Sequence, residues 1–386
     1  MYFDCCKGCT AFATVFLYGR SYAVRQDHPI KQTICKRAAR KNIPVCGTFE
    51  LTPRCSLNCK MCYIRMTPEQ MKPLGSECSI DRWIHLAQEA RDMGLAFLLL
   101  TGGEPFLRQD IFELLSALNT MGIVVDINSN GTLINETVVD RLLRTPPSKI
   151  NITLYGASRE TYEKLCGDGM AFDRVVDAID LLRQAGILVC LNATLTPDNL
   201  GDLEAMTCFA LERGLVLRTT AYVMPPSRRG VLETAYRLPS KDAGEAAFRA
   251  QLLFNGEDAM KRRAISQLAR EDCYHDTGEG IQCLAGRSQF WISWNGMLLP
   301  CGMLPQISAD LNEMTFREGW ARINEAVCRL PNCKECVTCA DRMICPSCAA
   351  SRYCENGNVD ASCAYMCEFS QSYRACMERL AKEELR

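Results

Sequence analysis

Histidine is scarce in this chain, with 3 among 386 residues. A metal site here must therefore draw mainly on thiolates rather than imidazoles. Long apolar runs are also lacking, since none approaches the ~20 residues needed to span a bilayer. The first residues, Met1-Tyr2-Phe3-Asp4-Cys5-Cys6, carry an acid where a signal peptide has basic residues. The apolar stretch Ala11 to Tyr18 is too short and too weakly flanked to serve as one. These absences predict a cytoplasmic protein with no membrane partner. Neither sign of charge prevails: 44 basic and 45 acidic residues give a net charge of −1. No global field draws in nucleic acid, and a tRNA-modifying role fits poorly.

Cysteine, by contrast, is abundant, at 25 residues. A reducing cytoplasm disfavours disulfides. A chain of this size, 48% hydrophobic and 23% charged, buries a core that needs no covalent staples. So many thiols with so little histidine point to metal, and to iron–sulfur clusters in particular. The distribution is uneven. Cys5, Cys6, Cys9, Cys35 and Cys46 lie near the start, a tight triplet follows at Cys55, Cys59 and Cys62, and the middle is sparse. Thirteen more begin at Cys273.

Residues 47–222 read as strands alternating with helices. Predicted strands are Thr48–Pro53, Leu95–Leu100, Ile123–Asn128, Lys149–Leu154, Ile187–Thr194 and Leu215–Tyr222. Helical stripes fall at Ser79–Met93, Asp110–Met121, Glu136–Arg144, Phe172–Gln184 and Leu203–Arg213. Six such repeats predict an α/β fold with a parallel sheet, an open partial (β/α)6 TIM barrel rather than the closed eightfold one. Functional residues should then lie at the C-terminal ends of strands. The expected organisation is an N-terminal extension at 1–46, the barrel at 47–235, a charged helical bridge at 236–282, and a cysteine-rich region at 283–386 closing on a helix near Ser370–Glu384. The segment Pro225-Pro226-Ser227-Arg228-Arg229-Gly230 ends the barrel unit.

Cys55-x3-Cys59-x2-Cys62 directly follows the first predicted strand. Three close thiolates can hold three irons of a cubane and leave the fourth open. A zinc knuckle or three unrelated core cysteines are the rival readings, although structural zinc takes four ligands. The second predicted strand runs into Thr101-Gly102-Gly103-Glu104-Pro105. Here two glycines permit close backbone approach by a ligand, and Glu104 adds a carboxylate that can accept from an ammonium.

Cys55-Ser56-Leu57-Asn58-Cys59-Lys60-Met61-Cys62-Tyr63, followed by Gly102-Gly103-Glu104-Pro105, resembles the radical S-adenosylmethionine (SAM) superfamily over residues 47–230. The resemblance implies a [4Fe–4S] cluster on Cys55, Cys59 and Cys62 whose open iron chelates SAM. It implies reductive cleavage to a 5′-deoxyadenosyl radical, fed by a flavodoxin- or ferredoxin-type reductant. By the same likeness, SAM contacts fall on Gly102, Gly103, Glu104 and Pro105, on Ser129 and Asn130, on Thr153, Arg174 and Asn192, and on Tyr222 with its neighbours to Met224.

Farther on, Asn295-Gly296 between apolar runs predicts a two-residue hairpin ending at Cys301. A zinc ribbon would separate its Cys-x2-Cys knuckles by roughly 15–20 residues. Here Cys336-x2-Cys339 and Cys345-x2-Cys348 are only five apart. Cys283-x12-Gly296-x4-Cys301 and Cys336-x2-Cys339-x5-Cys345 resemble the SPASM domain, a C-terminal extension of one radical SAM subfamily. The step to Cys348 is one residue short of that pattern, and both Cys363 and Cys367 suit the last position, with spacing favouring Cys367. The resemblance implies two auxiliary [4Fe–4S] clusters, three clusters in all. One is held by Cys283, Cys301 and Cys348, the other by Cys336, Cys339, Cys345 and Cys367. The first lacks an evident fourth ligand; Cys273, Cys333 and Cys354 are candidates, as is an open iron that takes a substrate thiolate.

SPASM enzymes mostly act on peptides and proteins. The resemblance thus implies an oxidative maturase of a peptide or protein side chain, of the thioether or carbon–carbon cross-link type, with a Cys-containing substrate. Sulfatase maturation to formylglycine fits less well, because Gly302 stands where those enzymes carry an acid. A haem-biosynthesis-like decarboxylase of small molecules is a rival reading, and a non-catalytic electron carrier is another. About 45 residues precede the barrel, too few for the leader-binding domain of many peptide maturases. Cys5, Cys6 and Cys9 read as an unliganded tail or a further metal site. Lys36, Arg37, Arg40 and Lys41 read as a solvated basic helix face or a contact for an acidic leader.

Overall fold

Each barrel strand alternates in character, and that alternation decides which side chains line the lumen. In strand β1 (Cys46–Glu50), Phe49 turns outward onto Trp83, ring centroids 4.7 Å apart, while Thr48 lines the interior. The computed structural model describes residues 29–225, 236–268, 281, 283–342 and 344–382. Helix α1 (Pro29–Ala39) precedes β1. After β1 come α2 (Pro68–Met71), α3 (Ile80–Asp92), β2 (Phe97–Thr101), α4 (Ile111–Thr120), β3 (Val124–Ser129) and α5 (Glu136–Arg144). Then follow β4 (Lys149–Thr153), α6 (Arg159–Cys166), α7 (Ala171–Gln184), β5 (Val189–Thr194), α8 (Leu203–Glu212) and β6 (Val216–Thr220). The C-terminal part holds α9 (Ser240–Asn255), α10 (Glu257–Leu268), β7 (Gln289–Ile292), β8 (Met297–Leu299), β9 (Ala309–Asp310), α11 (Phe316–Cys328), α12 (Lys334–Val337), α13 (Ala349–Asn356) and α14 (Ala364–Lys382).

Strands β1 to β6 are parallel and paired in sequence order, as the six repeats predict. Among helices α3 to α8, three have a local reason to start where they do: Ser79, Asn135 and Ser158 each cap an N-terminus by accepting from a backbone N–H three residues on. The buried faces of these helices supply the main core, with Leu86, Leu114, Leu142, Ile179 and Met206 all fully buried. Helix α6 was not legible in the sequence. Its apolar positions, Tyr162, Leu165 and Cys166, are too few to make a stripe.

The hairpin of the 283–386 region continues the barrel sheet. Strand β7 pairs in parallel with β1, so the sheet runs β6-β5-β4-β3-β2-β1-β7-β8-β9 without a break. Gly47 makes room for this, because a Cβ there would lie 2.6 Å from the Phe290 ring. The turn is longer than predicted. Ser293 and Met297 close a three-residue loop, with Gly296 at φ 87° in the left-handed region, the common three-residue counterpart of a two-residue turn. The closing helix α14 begins at Ala364, six residues before the predicted start.

The N-terminal extension is likewise no free appendage where it is described. The ammonium of Lys31 on α1 lies 3.6 Å from the carboxylate of Asp126 on β3, which lines the lumen. Cys35 and Cys46 bring their sulfurs to 3.0 Å, so α1 covers the N-terminal end of the strands. The basic residues Lys36, Arg37, Arg40 and Lys41 are exposed. Cys5, Cys6, Cys9, Cys273 and the Pro226–Gly230 stretch lie outside the described residues. In place of a single bridge, α9 and α10 meet at Gly256, and α9 packs along α14.

Candidate functional site: two thiol-lined cavities joined by the barrel lumen

The first cavity, about 440 Å³, opens at the C-terminal ends of the strands. Backbone pairing builds its rim. Beyond β1 the chain runs beside the turn that follows β2: Gly103 N–H donates to Thr52 O at 2.7 Å and Glu104 N–H to Arg54 O at 2.8 Å. A Cβ at Gly103 would lie 2.2 Å from Arg54 O. The glycine pair thus lets the cysteine loop approach its own chain, in addition to lining the cavity. The loop is then pinned on its far side, where Asn58 N–H donates to Cys166 O and Lys60 N–H to Leu165 O, each at 3.0 Å.

This architecture brings together most of the residues the sequence singles out. Cys55, Cys59 and Cys62 share the cavity with Gly102, Gly103, Ser129, Asn130, Thr153, Asn192 and Tyr222. The Nδ2 of Asn130 donates to Cys55 Sγ at 3.4 Å and to Ser56 Oγ at 3.0 Å. Burial pushes the Cys55 thiol up to about 11. Cys59 moves the other way, its thiol lowered by a hydrogen bond from Cys166 and helped by the Tyr155 hydroxyl. Cys166 and Tyr155 were missed as site residues. Spacing could not find them, because α6 delivers Cys166 from more than a hundred residues downstream.

Three expected contacts fall elsewhere. Glu104 is wholly buried and does not line the cavity. Its carboxylate accepts from Ser129 Oγ at 2.9 Å, Asn130 N–H at 2.8 Å and Phe106 N–H at 3.1 Å. It therefore latches the β2 turn to the end of β3. Burial pushes it up to about 7, against the pull of those donors. Pro105 is buried and opens the short turn Pro105–Leu107. Arg174 pairs with Asp168 at 2.5 Å and lines a separate cleft beside Thr132–Thr137. Tyr222 does line the cavity, but its hydroxyl donates to Glu355 on α13 at 2.9 Å.

The second cavity, about 430 Å³, lies in the C-terminal region. Eight cysteines line it: Cys283, Cys333, Cys336, Cys339, Cys345, Cys348, Cys363 and Cys367. The Cys367 thiol is raised by burial and by its neighbours Cys345, Cys339 and Cys333. Cys363, pushed up to about 11 by burial, lines the same cavity and feels both Glu355 and Cys367. Cys301 and Cys354 belong to an adjoining cluster with Met303, Leu304 and Cys348. Met303 bridges the pair: its N–H donates to Cys301 Sγ at 3.5 Å, and Cys354 Sγ donates to its carbonyl at 3.7 Å. Among the described residues, no three His, Cys, Asp or Glu side chains converge on one metal-ion position. The thiols line a common space.

The lumen connects the two. A cavity of about 490 Å³ shares Asn128 and Asn192 with the first and Cys283 with the second, and Cys301 also lines it.

Residues 49–209 match the model described as the Radical SAM superfamily. Over 338 residues the chain is 28% identical to an AdoMet-dependent heme synthase of Methanosarcina barkeri, 83% of this chain and 95% of that one. It is 25% identical over 254 residues to a PqqA peptide cyclase of Granulibacter bethesdensis, 65% of this chain and 66% of the other. Among solved structures, Streptococcus suis SuiB bound to S-adenosylmethionine superposes with a TM-score of 0.64 at 17% identity, covering 87% of this chain and 79% of SuiB. Native anSMEcpe with bound AdoMet gives 0.62 at 16% identity, covering 88% and 100%. At such identities the structural likeness speaks to the fold alone. The superfamily binds SAM at a [4Fe–4S] cluster, and the three-thiol cavity with its glycine-built rim suits that group. Residues 49–209 thus form a radical SAM domain.

Proposed function

We propose that this enzyme oxidatively modifies a peptide or protein side chain held in the barrel lumen. One observation carries the reading: the lumen touches the SAM-type cavity at one end and Cys283 and Cys301 at the other. A side chain held there lies between the site of hydrogen abstraction and a second set of thiols able to hold an electron acceptor. The bound cluster and SAM supply the hydrogen-abstracting radical; the barrel orients the substrate and excludes water. Cys55, Cys59 and Cys62 hold the SAM cluster, with Gly102, Gly103, Ser129, Asn130, Thr153 and Asn192 positioned to meet SAM. Cys336, Cys339, Cys345 and Cys367 hold one auxiliary cluster. Cys283, Cys301 and Cys348 hold the other, and Cys354 completes it. Cys354 is buried in the same packing cluster as Cys301 and Cys348 and is joined to Cys301 through Met303. A flavodoxin- or ferredoxin-type protein is the reductant.

Relatives support the peptide reading: one is a PqqA peptide cyclase, and SuiB is described bound to the precursor peptide SuiA. A second reading is haem-synthase-like decarboxylation, favoured by the greater span of the heme synthase match. Anaerobic reconstitution should give about twelve iron atoms per chain, four for each cubane. Cys354→Ser should lower the iron content or change the EPR signal of one auxiliary cluster and leave the SAM cluster signal intact. An unchanged iron count and spectrum would remove Cys354 from the ligand set. Deoxyadenosine formation triggered by peptide, with a mass loss of two hydrogens, supports the main reading. The same response to a porphyrin alone would replace it.

A further inference from the structure

A closed TIM barrel fills its interior with branched apolar side chains. This lumen is polar, and strand register places its groups in rows. On one row, Asn128 on β3 stands beside Asn151 on β4. On the next, Thr153 on β4, Asn192 on β5 and Arg218 on β6 stand side by side. A buried polar atom without a partner carries a desolvation cost that a ligand can offset.

The electrostatics are lopsided. Asp126 faces two lysines, Lys31 at 3.6 Å and Lys149 at 3.4 Å. Glu50 accepts from Trp291 Nε1 at 2.8 Å. Three cations, Lys31, Lys149 and Arg218, line the lumen cavity together with the carboxylate of Asp126. Among the described residues, the half-buried guanidinium of Arg218 has no hydrogen-bond or carboxylate partner, although it lines the lumen cavity with Asn192, Trp291 and Cys301. Asn151 supplies the second observation. It is 6% exposed and lines the same cavity; its Nδ2 donates to Asn128 Oδ1 at 2.8 Å, and its Oδ1 accepts nothing.

We propose that Arg218 and Asn151 form the recognition site for an amino-acid unit bearing a carboxylate. The guanidinium fork of Arg218 takes the two carboxylate oxygens. The Oδ1 of Asn151 takes an amide N–H of the same unit. An acidic residue of a peptide presents both groups; a simple aliphatic acid presents one. The site rests on the reading of the preceding subsection only for what happens to the bound residue.

Labelling of the reconstituted full chain with phenylglyoxal, followed by mass mapping of the Arg218 peptide, tests this directly. N-acetylglutamate amide at about ten times its Kd should slow labelling about tenfold, the order set by site occupancy. N-acetylglutamine amide should not protect, and propionate should protect more weakly than the glutamate derivative. Protection should persist with SAM present. Equal protection by the glutamine derivative would overturn the charge recognition. Equal protection by propionate would overturn the role of Asn151. Full protection by SAM alone would assign Arg218 to the cofactor and sink the proposal. Arg218→Gln should abolish the preference for glutamate over glutamine in binding followed by tryptophan fluorescence, with Arg218→Lys restoring part of it and iron content serving as the folding control. A retained preference in Arg218→Gln would also overturn the site. A glutamate peptide that binds and protects but leaves unmodified would keep this site and remove the modification reading.

Discussion

The two cysteine-rich regions hold their thiols by opposite means. At residues 52–62, the cysteine loop and the residues before it are fastened by backbone hydrogen bonds to the β2 turn and to the end of α6, both parts of the barrel. At residues 333–367, seven of the eight thiols that line one cavity are strung along a segment whose regular structure is a four-residue helix and a two-turn helix before α14 begins. The barrel can organise its site before any cluster arrives. The 333–367 segment carries little regular structure of its own and should draw its order from the metal, as small metal domains do.

Iron removal should break this comparison most sharply. Anaerobic chelation should open residues 329–367 to proteolysis while the barrel resists; equal protection of both regions would refute it. The shared sheet then sets the next largest effect. Phe290 is buried against Phe316, at 4.9 Å between centroids, and against Trp320 at 6.2 Å. Phe290→Ala should cost about 3–5 kcal/mol by chemical denaturation, in a single transition, because β7 belongs to the barrel sheet. Two separated transitions would mean that the hairpin unfolds alone.

Glu104 sharpens the barrel side. Its carboxyl is raised in the folded protein to about 7 from an ordinary 4.5. Its contribution to stability is full below about pH 4.5 and is lost as pH rises through about 7. The loss approaches ~3 kcal/mol at 1.36 kcal/mol per unit. Denaturation at pH 5 and pH 8 should show this fall in the wild type and a flatter response in Glu104→Gln. The smallest effect belongs to thiols outside both cavities. Cys208 and Cys328 are exposed, and replacing either by Ser should change stability by less than about 0.5 kcal/mol with iron content unaltered.

The chain's own order of residues determined a good deal. Six strands and most barrel helices were legible because apolar periodicity is a local signal, and β4 and α5 begin where the pattern places them. Cys55, Cys59 and Cys62, with Gly102 and Gly103, were legible because their loops follow neighbouring parallel strands. Only tertiary structure decided the rest. The burial of Glu104 between β2 and β3, where it latches the two strand ends together, is one such feature. Cys166 reached Cys59 through a helix too weakly patterned to predict. The hairpin joined β1, and Arg218 came to share the lumen with Trp291, through strand pairings that no local spacing encodes. Periodicity reports which face of an element is buried. What that face is buried against depends on closing long loops, and this chain settles that only by folding.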